Sequence, residues 1–410
     1  MFNDYQNRLG DVIELLTDYH ANGAYEKLKK NVTLRSVENY AVMIRTTNFE
    51  KNNFQDNLIY VDEHAYNYLK KSKVYSSDLI MNKIANAGSS YFMPKLNKPV
   101  TLGMNLFLIR IKKNIADPFF IYSFLKKNEL YVKSFSCGST TKTITKDDVR
   151  KLKIYLPPLS EQKKITNILS TWDKAIETVE KLIKNSHAQK KALMQQLLTG
   201  KKRFSGFEEK WNEMKLGNIT SIYDGTHTTP KYVEQGVPFY SVEHLTSNNF
   251  SETKFISEEI FEKENNRVML EKSDILMTRI GDIGTSICID WNVRASFYVS
   301  VALIKANLTF DSRFMSYYMN SQEFHRELHK RTIHVAFPKK INLGEINKCL
   351  VKLPSLGEQQ KIASTLSSAD NEIKLLEQQL SDLKQEKKAL MQQLLTGKRR
   401  VKIMNKGNLI

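Results

Sequence analysis

The strongest constraint on the fold is an internal repeat that runs through the whole chain. The segment KALMQQLLTGK at 191–201 returns unchanged at 388–398. Across 156–201 and 353–398, aligned without a gap, 24 of 46 positions are identical. Two copies of a unit this long differ from a solenoid, which stacks many short repeats. We therefore expect a duplicated chain with two related halves.

The residues between the repeated segments also match each other, but they have diverged. SDLIMNKIANAGSS at 77–90 corresponds to SDILMTRIGDIGTS at 273–286. The sequence therefore predicts two variable domains, each followed by a conserved helical segment. The predicted bounds are 1–155 for the first domain, 156–202 for the central helix, 203–352 for the second domain, 353–398 for the C-terminal helix and 399–410 for a basic tail.

Both helical segments have the residue pattern of long coiled-coil helices. Apolar residues recur every seven positions in two rows, which is typical of paired helices. Ser160 and Gly357 are the expected N-caps, and Gly200 and Gly397 are the expected C-terminal signals. The rows are Ile165, Trp172, Val179 and Leu193 with Leu169, Ile176, Ile183 and Leu197, then Ile362, Ala369, Leu376, Leu383 and Leu390 with Leu366, Ile373, Leu380 and Leu394.

The direction of the chain predicts how these helices pair. The first leads from one variable domain to the other and the second leads back, so we expect an antiparallel coiled coil. A helix over 160–198 has 39 residues and a length of about 58 Å, which would hold the two domains apart. Lys190 and Lys387 interrupt equivalent positions of the apolar rows. They could fix the register, extend into solvent or contact a partner subunit.

The charge of the chain favours a polyanionic partner that binds local surfaces. The net charge is +18, and strongly basic chains commonly bind nucleic acids or anionic membranes. Residues 1–155 carry 24 basic and 15 acidic side chains, whereas residues 203–352 carry 19 of each. The second domain must therefore bind any polyanion through a local patch. No run of eighteen apolar residues suits a membrane span.

The motifs of the expected enzyme classes are missing from the sequence. There is no Gly-x-x-x-x-Gly-Lys-Ser/Thr phosphate loop and no Asn/Asp-Pro-Pro-aromatic motif of an amino-methyltransferase. His325 and His329 have the spacing of two helical metal ligands but lack a third, so we expect no catalytic residue and no metal site. Cys137, Cys288 and Cys349 lie far apart, which favours buried free thiols and a reducing cytoplasm.

Taken together, three features resemble the specificity subunit of type I restriction-modification systems. They are the pair formed by LPPLSEQKKI and KALMQQLLTGK, the polar segment DGTHTTPKY at 224–232, and the duplicated layout of variable domain and helix. The resemblance covers essentially the whole chain. It implies an α+β fold, in which two tandem target-recognition domains of mixed strands and helices are joined by two long antiparallel helices with pseudo-twofold symmetry.

The resemblance also implies a function in host defence that depends on partners. It implies sequence-specific binding of one bipartite DNA site, and assembly with two adenine methyltransferase (M) subunits, whose contacts lie mostly on the conserved helices. For cleavage it implies two restriction (R) subunits that act as an ATP-driven nuclease-translocase. S-adenosylmethionine, ATP and Mg²⁺ would belong to these partners, and this chain would hold no cofactor.

The candidate DNA contacts lie in loops that differ between the halves within a matching framework. Asp78 and Asp274, present in both halves, are expected to cap turns, and three lysines just before the helices (Lys142, Lys339 and Lys340) are expected to anchor phosphates. The remaining candidates have side chains able to contact bases or phosphates. They are Arg45, Thr46, Thr47, Asn48, Lys83, Asn86, Ser89, Tyr223, Thr226, His227, Thr228, Lys231, Tyr232, Ser241, Glu243, His244, Arg279, Asp282 and Thr285.

Other functions fit part of these observations. A coiled-coil scaffold would explain the helices, although it would not need two diverged, loop-rich domains. A DNA-binding protein that acts without methyltransferase or nuclease partners would explain those domains as well. A stand-alone methyltransferase or nuclease would need the motifs that the sequence lacks.

Overall fold

The computed structural model describes residues 7–402 of the chain. It divides into two compact units, the first comprising residues up to Val179 and from Gln379 onward, and the second comprising Glu180–Gln378. Each long helix therefore contributes one part to each unit. Residues 1–6 of the predicted first domain and 403–410 of the predicted basic tail lie outside the described residues.

The strands of the first unit form two four-stranded sheets and a two-stranded ribbon. They are β1 (Asn7–Arg8), β2 (Ile13–Asp18), β3 (Ala41–Ile44), β4 (Ile59–Val61), β5 (Lys73–Val74), β6 (Leu79–Asn82), β7 (Ser90–Phe92), β8 (Val100–Leu102), β9 (Leu106–Ile111) and β10 (Lys153–Ile154). The sheet orders are β2-β9-β6-β7 and β4-β3-β8-β5, and β1 pairs with β10. Strands β3 and β8 run parallel.

Eight helices accompany these strands within the described residues, and the last continues into the second unit. They are α1 (Leu9–Val12), α2 (Tyr25–Asn31), α3 (Thr46–Glu50), α4 (Glu63–Tyr68), α5 (Pro118–Lys127), α6 (Glu129–Lys133), α7 (Lys146–Lys151) and α8 (Leu159–Leu197). Helix α5 begins where the Asp117 carboxylate accepts a hydrogen bond from the Phe120 amide at 2.9 Å, with a proline in its first turn.

The side chains of β6 show how the first unit is layered. Successive residues of a strand point to opposite faces of the sheet. Leu79 and Met81 pack into the core that contains Phe120 of α5, whereas Ile80 packs into the core that contains Ile44 of the other sheet. The sheet with β6 thus lies between a helical layer and the second sheet. This explains why its first three residues, Leu79, Ile80 and Met81, are all apolar instead of alternating.

The second unit repeats this arrangement. Its strands are β11 (Asn212–Lys215), β12 (Ile222–Asp224), β13 (Tyr232–Val233), β14 (Val237–Tyr240), β15 (Lys254–Ile256), β16 (Ile275–Thr278), β17 (Ser286–Cys288), β18 (Ser296–Phe297), β19 (Val301–Ile304) and β20 (Leu350–Leu353). Its further helices are α9 (Val242–Ser247), α10 (Glu258–Asn265), α11 (Ser312–Met319), α12 (Gln322–Arg331), α13 (Leu343–Asn347) and α14 (Leu356–Leu394).

One edge strand distinguishes the two units. The sheets of the second unit have the orders β12-β19-β16-β17 and β13-β15-β14-β18, beside the ribbon β11-β20. The edge strand β13 pairs with β15, whereas in the first unit the extra edge strand β5 pairs with β8 at the opposite side of its sheet. Short 3-10 turns complete the fold at Tyr19–Asn22, Lys70–Ser72 and Leu216–Asn218.

The long helices α8 and α14 confirm the predicted coiled-coil segments, each with 39 residues. The predicted N-caps were wrong by two residues. Pro158 accepts a hydrogen bond from the Gln162 amide at 3.0 Å, and Ser355 accepts one from the Gln359 amide at 3.0 Å. Because these carbonyls accept the first helical bonds, Ser160 and Gly357 already lie in the first turns.

The predicted helix ends and pairing agree with the structure. Gly200 and Gly397 have φ of 68° and 73°, which favours glycine after a helix. Within the first unit, Ile165 near the start of α8 shares a core with Leu394 at the end of α14. Within the second unit, Leu197 and Ile362 share a core in the same way. In each unit the start of one helix therefore packs against the end of the other, as antiparallel pairing requires.

Buried carboxylates close the ends of the paired helices. In the first unit Arg400 contacts Glu161 at 2.7 Å, and in the second Arg203 contacts Glu358 at 2.6 Å. The hydrogen bonds from Arg400 hold the pKa of Glu161 below its usual range. Since both carboxylates are almost fully buried, each needs its arginine partner. Both pairs occupy the same positions of the sequence repeat.

The cysteines only partly match their expected burial. Cys349 is buried and Cys288 is half-buried, and burial raises the pKa of both thiols to about 12. Cys137 is exposed, contrary to expectation, because its backbone pairs with Thr143 at the base of a surface loop. All three are free thiols. Among residues 7–402, no helix is both long and apolar enough to cross a membrane.

Candidate nucleic-acid interface

The candidate site of the first unit is built at one edge of the sheet β2-β9-β6-β7. Because β2 and β6 both run antiparallel to β9, their last residues meet at the same edge. The ammonium group of Lys83, just after β6, lies 3.3 Å from the carboxylate of Asp18, the last residue of β2. Lys146 lies 3.4 Å from the other oxygen of that carboxylate. A buried acid therefore holds two lysines at this edge.

The charges around Asp18 decide its protonation. Burial alone would raise its pKa, but the ammonium groups of Lys146 and Lys83 outweigh burial and hold the pKa below its usual range. Asp18 is therefore ionised at neutral pH. It partly neutralises Lys83, which is consequently a weaker phosphate ligand than an unpaired lysine would be.

The second unit carries the same carboxylate in the equivalent place. Asp224 ends β12 and is paired with β19 as Asp18 is paired with β9. Its carboxylate lies 2.8 Å from Arg267, 2.9 Å from His227 and 3.9 Å from Arg279, the counterpart of Lys83. Burial would raise the pKa of Asp224, but Arg267 and His227 hold it below its usual range. Both halves thus use one buried acid to position basic side chains.

Two surface loops, which we call the tip loops, flank these clusters. The first tip loop comprises 138–142 (GSTTK) and the second comprises 334–339 (HVAFPK). The Ala85 amide donates to the Lys142 carbonyl at 2.9 Å, and the Gly281 amide donates to the Lys339 carbonyl at 2.8 Å. The structure therefore brings the loop after β6 or β16 together with the tip loop of the same unit.

In each unit, further segments are held beside the buried acid and its basic partners by hydrogen bonds. In the first unit, Thr46 donates its hydroxyl to Asn82 at 2.9 Å, beside Lys83. In the second unit, Thr226 donates its amide to Phe297 at 3.0 Å, and Tyr298 donates its amide to Tyr240 at 2.9 Å. The segments after β3 and β14 and the polar loop at 224–232 thus lie at the same edges as the tip loops.

The burial of the predicted site residues separates them into three groups. The exposed ones are Arg45, Thr47, Asn86, Lys142, His227, Thr228, Lys231, Tyr232, Glu243, Asp282, Lys339 and Lys340. The half-buried ones are Thr46, Lys83, Tyr223, Ser241 and Thr285. The buried ones are Asn48, Ser89, Thr226, His244 and Arg279. The DNA contacts predicted for the exposed residues stay predictions.

The buried candidates support the loops instead of presenting a surface. Asn48 accepts a hydrogen bond from the Arg45 amide at 2.8 Å, and His244 accepts one from the Ser241 amide at 2.9 Å. Arg279 donates to the Val299 and Ile341 carbonyls. The sequence pattern did not separate these residues from their exposed neighbours, because both kinds are polar.

The expected turn-capping role of two aspartates is confirmed. Asp78 accepts a hydrogen bond from the Tyr75 amide at 2.7 Å, and Asp274 accepts one from the Glu271 amide at 2.8 Å. Each also pairs with a cation of the neighbouring strand, Arg110 for Asp78 and Lys305 for Asp274, at 2.7 Å in both cases. These buried pairs lie at the edge of the sheet opposite the candidate site.

Several residues that position the loops were not among the predicted candidates. Asp18 was not a candidate, because it lies 65 residues before Lys83. Glu129 accepts a hydrogen bond from the Ser89 hydroxyl at 2.6 Å and pairs with Lys133 at 2.8 Å. Burial would raise the pKa of Glu129, but Lys133, Ser89 and Lys126 lower it to about 2. No local pattern in the sequence marked Glu129, because its partner Ser89 lies 40 residues earlier in the chain.

The histidines of α12 do not form a metal centre with their surroundings. The ring of His329 lies 4.4 Å from that of His334, which follows the end of α12. In the part of the chain that the structure describes, no group of three His, Cys, Asp or Glu side chains could hold a metal ion.

The model of one protein family matches both halves of the chain. The family is described as the type I restriction modification DNA specificity domain, and the matched residues are 4–185 and 208–385. The chain is also 28% identical over 358 residues to the type I restriction enzyme MjaVIII specificity subunit of Methanocaldococcus jannaschii, covering 81% of this chain and 83% of that protein. It is 22% identical over 349 residues to the type I restriction enzyme EcoKI specificity subunit of Escherichia coli, covering 79% and 74%.

Solved structures share the fold. The type I restriction-modification S subunit from M. genitalium matches with a TM-score of 0.61 at 17% identity, covering 96% of this chain and 97% of that chain. A chain from a study of assembly and conformational transition of a type I R-M system matches with a TM-score of 0.58 at 16% identity, covering 95% and 96%. At such low identity these structures support the fold alone.

Proposed function

Because the chain belongs to the type I restriction modification DNA specificity domain family and carries that domain twice, we propose that each unit reads one half of a bipartite DNA site. One observation carries this proposal: each unit sets different exposed loops on the same frame of strands and buried acids. Asp18 and Asp224 are equivalent, whereas the tip loops beside them read GSTTK and HVAFPK. A shared frame with different loops suits two readers of different sequences.

We assign a role to each exposed side chain from the chemistry of its residue type. Arg45 and Asn86 in the first unit can donate hydrogen bonds to base edges in the major groove. Lys142, Lys231 and Lys339 are exposed lysines, which serve best as phosphate contacts that carry no sequence information. The second unit has no net charge over 203–352, so its phosphate contacts depend on such local lysines.

We further propose that the chemistry is performed by partner subunits. The two long helices are related in sequence, because 24 of 46 repeated positions are the same. Two related surfaces would bind two copies of an adenine methyltransferase subunit, and cleavage would require two restriction subunits. S-adenosylmethionine, ATP and Mg²⁺ would be bound by those partners, and this chain would supply no catalytic residue and no cofactor. A simple scaffold would not need two diverged loop clusters on one frame.

The proposal is tested by mapping methylated adenines in a host genome. The host carries the methyltransferase partner alone, or the partner together with this chain. We expect one bipartite methylated motif that appears only when the chain is present. A chain with Arg400→Ala and Arg203→Ala, which removes the cations beside the buried helix carboxylates, serves as a damaged control. An unchanged set of methylated adenines in the presence of the intact chain would contradict the proposal.

A further inference from the structure

The second tip loop presents two large apolar side chains directly to solvent. Val335 is 97% exposed and Phe337 is 104% exposed, so both side chains are fully accessible to solvent. An apolar ring that remains fully in water forgoes the favourable free energy that burial against a partner would provide. The position of Phe337 is therefore explained best by a partner that covers it.

Backbone hydrogen bonds at the base of the second tip loop hold that loop in place. The Ile333 amide donates to the Lys340 carbonyl at 2.8 Å, which closes the loop at both ends. The Gly281 amide donates to the Lys339 carbonyl at 2.8 Å, which ties it to the loop of Arg279. Phe337 is thus presented at a defined place beside the proposed DNA-reading residues of the second unit.

The charges next to the ring favour DNA as the partner. Lys339 and Lys340 are exposed, and among residues 7–402 their side chains make no ion pair. Two unpaired ammonium groups that follow the aromatic residue after a single proline can hold the phosphates on either side of a base step that the ring enters. Apolar side chains that enter DNA in this way unstack neighbouring bases and kink the duplex.

The first tip loop lacks such a side chain. It has the five-residue sequence GSTTK, with Lys142 in the place of Lys339 and only glycine, serine and threonine where the second tip loop has Val335 and Phe337. Its base is closed in the same manner, because Cys137 and Thr143 exchange two backbone hydrogen bonds of 2.8 Å. The two units therefore share the loop anchor and differ in the chemistry of the tip.

We propose that Phe337 inserts into the second half-site as an apolar wedge and opens one base step, while the first half-site is bound without such an opening. The inference rests on the proposed function and adds a mechanism to it. Since pyrimidine–purine steps such as TA and CA unstack most easily, one of them is expected at the opened position. The second unit would then obtain part of its specificity from DNA deformability, without a hydrogen bond to the base.

The test uses the full chain assembled with its methyltransferase partner. The probe is a duplex carrying the methylated motif found by genome mapping, with 2-aminopurine placed at each step in turn. Fluorescence is expected to rise at one step of the second half-site when the complex binds. Phe337→Ala should abolish that rise and weaken binding roughly tenfold, as loss of an aromatic–base contact does. Leu308→Ala removes another almost fully exposed apolar side chain of the second unit, in the loop after β19, and is the matched control that should change neither measurement.

The possible outcomes separate this inference from the proposed function. If no methylated motif depends on the chain, the proposed function fails and the wedge fails with it. If the complex binds its motif but opens no step, or if Phe337→Ala behaves like the intact chain, the wedge alone is overturned. Loss of assembly with the methyltransferase in Phe337→Ala would show that the tip loop docks a protein, which would also overturn it.

Discussion

The two units build the same ion pair on their long helices but surround it differently. Lys387 pairs with Asp173 in the first unit, and Lys190 pairs with Asp370 in the second. These lysines had three possible roles as polar interruptions of the apolar rows. Because each reaches a carboxylate of the other helix, both pairs fix the register of the antiparallel pairing, in keeping with polar residues at such positions.

The surroundings of the pair have diverged. In the second unit, Tyr317 donates its hydroxyl to Asp370 at 2.6 Å. In the first unit, Ser123 stands at the corresponding position of α5, and a cavity of about 440 Å³ lies beside Asp173, lined by Lys127 and Lys388 among others. The duplication has thus kept the residues that align the helices while the residues around them changed. The tip loops likewise share a hydrogen-bonded base and differ in the side chains that they expose.

The largest effect is expected from a substitution that disrupts the buried ion pairs of the framework shared by the two units. Arg110 donates two hydrogen bonds to Asp78, at 2.9 and 2.7 Å, and Asp78 is buried. Arg110→Ala would leave that buried carboxylate with the Tyr75 amide but without a cation, and should destabilise the first unit by about 3 kcal/mol. Hydrogen exchange of the sheet β2-β9-β6-β7, measured as a function of denaturant, reports this local loss.

The equivalent pair of the second unit provides the comparison. Lys305→Ala should have a smaller effect, because Asp274 retains hydrogen bonds from the Glu271 and Ala306 amides at 2.8 and 2.9 Å. Exposed Arg294→Ala, which removes a surface ion pair with Glu258, is the control and should change little. A loss for Lys305→Ala as large as that for Arg110→Ala would contradict this ranking.

Changes in the diverged loops should affect DNA binding and leave the fold intact. Arg45→Ala removes an exposed guanidinium and should weaken specific binding by about 1–3 kcal/mol while relaxing one position of the first half-site. Lys142→Ala should weaken binding to all sequences alike, as loss of a phosphate contact does. Methylation mapping and binding at two salt concentrations distinguish the two. Relaxation of the second half-site by Arg45→Ala would contradict the assignment of this loop.

Lys83→Ala sharpens the same comparison. Since Lys83 already pairs with Asp18, its removal should weaken binding to the first half-site less than removal of Arg45 and should loosen the loop beside it. Assembly with the methyltransferase should be unchanged in both variants, which native mass spectrometry can measure. If methylation is unaltered in both Arg45→Ala and Lys83→Ala, this edge of the sheet does not contact DNA.

The smallest effect is expected from lowering the pH. The pKa of Glu129 is lowered to about 2 from an ordinary value of 4.5. A carboxylate with a lowered pKa stabilises the folded state above its unfolded pKa. This contribution is therefore full above about pH 4.5 and is lost as the pH falls toward 2. Hydrogen exchange around Ser89 should rise over this range, and Glu129→Gln should remove the pH dependence.

The second unit should lack this response at the matching loop. There the Thr285 amide donates to the Thr278 hydroxyl at 3.0 Å, and that hydroxyl donates to Asp282 at 2.8 Å, so Thr285 reaches a carboxylate only through another side chain. Equal loosening of both loops between pH 4.5 and 2 would contradict the role given to Glu129.

The long helices could be predicted from the sequence because their signals are local. Heptad spacing together with Gly200 and Gly397 after each segment placed the helices within a few residues of α8 and α14. The N-caps were missed because the first helical hydrogen bonds are accepted by the backbone carbonyls of Pro158 and Ser355, and every residue has such a carbonyl. Repeat matching also located the variable loops of both domains.

The candidate site could be predicted only in part, because it depends on distant pairing. Asp18 meets Lys83 through the order β2-β9-β6, which no local pattern in the sequence specifies. Ser89 and Arg279 have the same polarity as the exposed loop residues, but strand geometry turns them inward to Glu129 and to the Ile341 carbonyl. The exposed Phe337 was missed because an aromatic residue in a sequence is usually a core residue.

The proposal that each unit reads its own half-site is tested most directly by exchanging the variable region of one unit. Residues 204–340 are replaced by the corresponding region of a relative with a different specificity, and methylated adenines are mapped in the host genome. The account predicts that one half-site changes to that of the relative, while the other half-site remains. If both half-sites change together, the two units do not read DNA separately and the central claim is wrong.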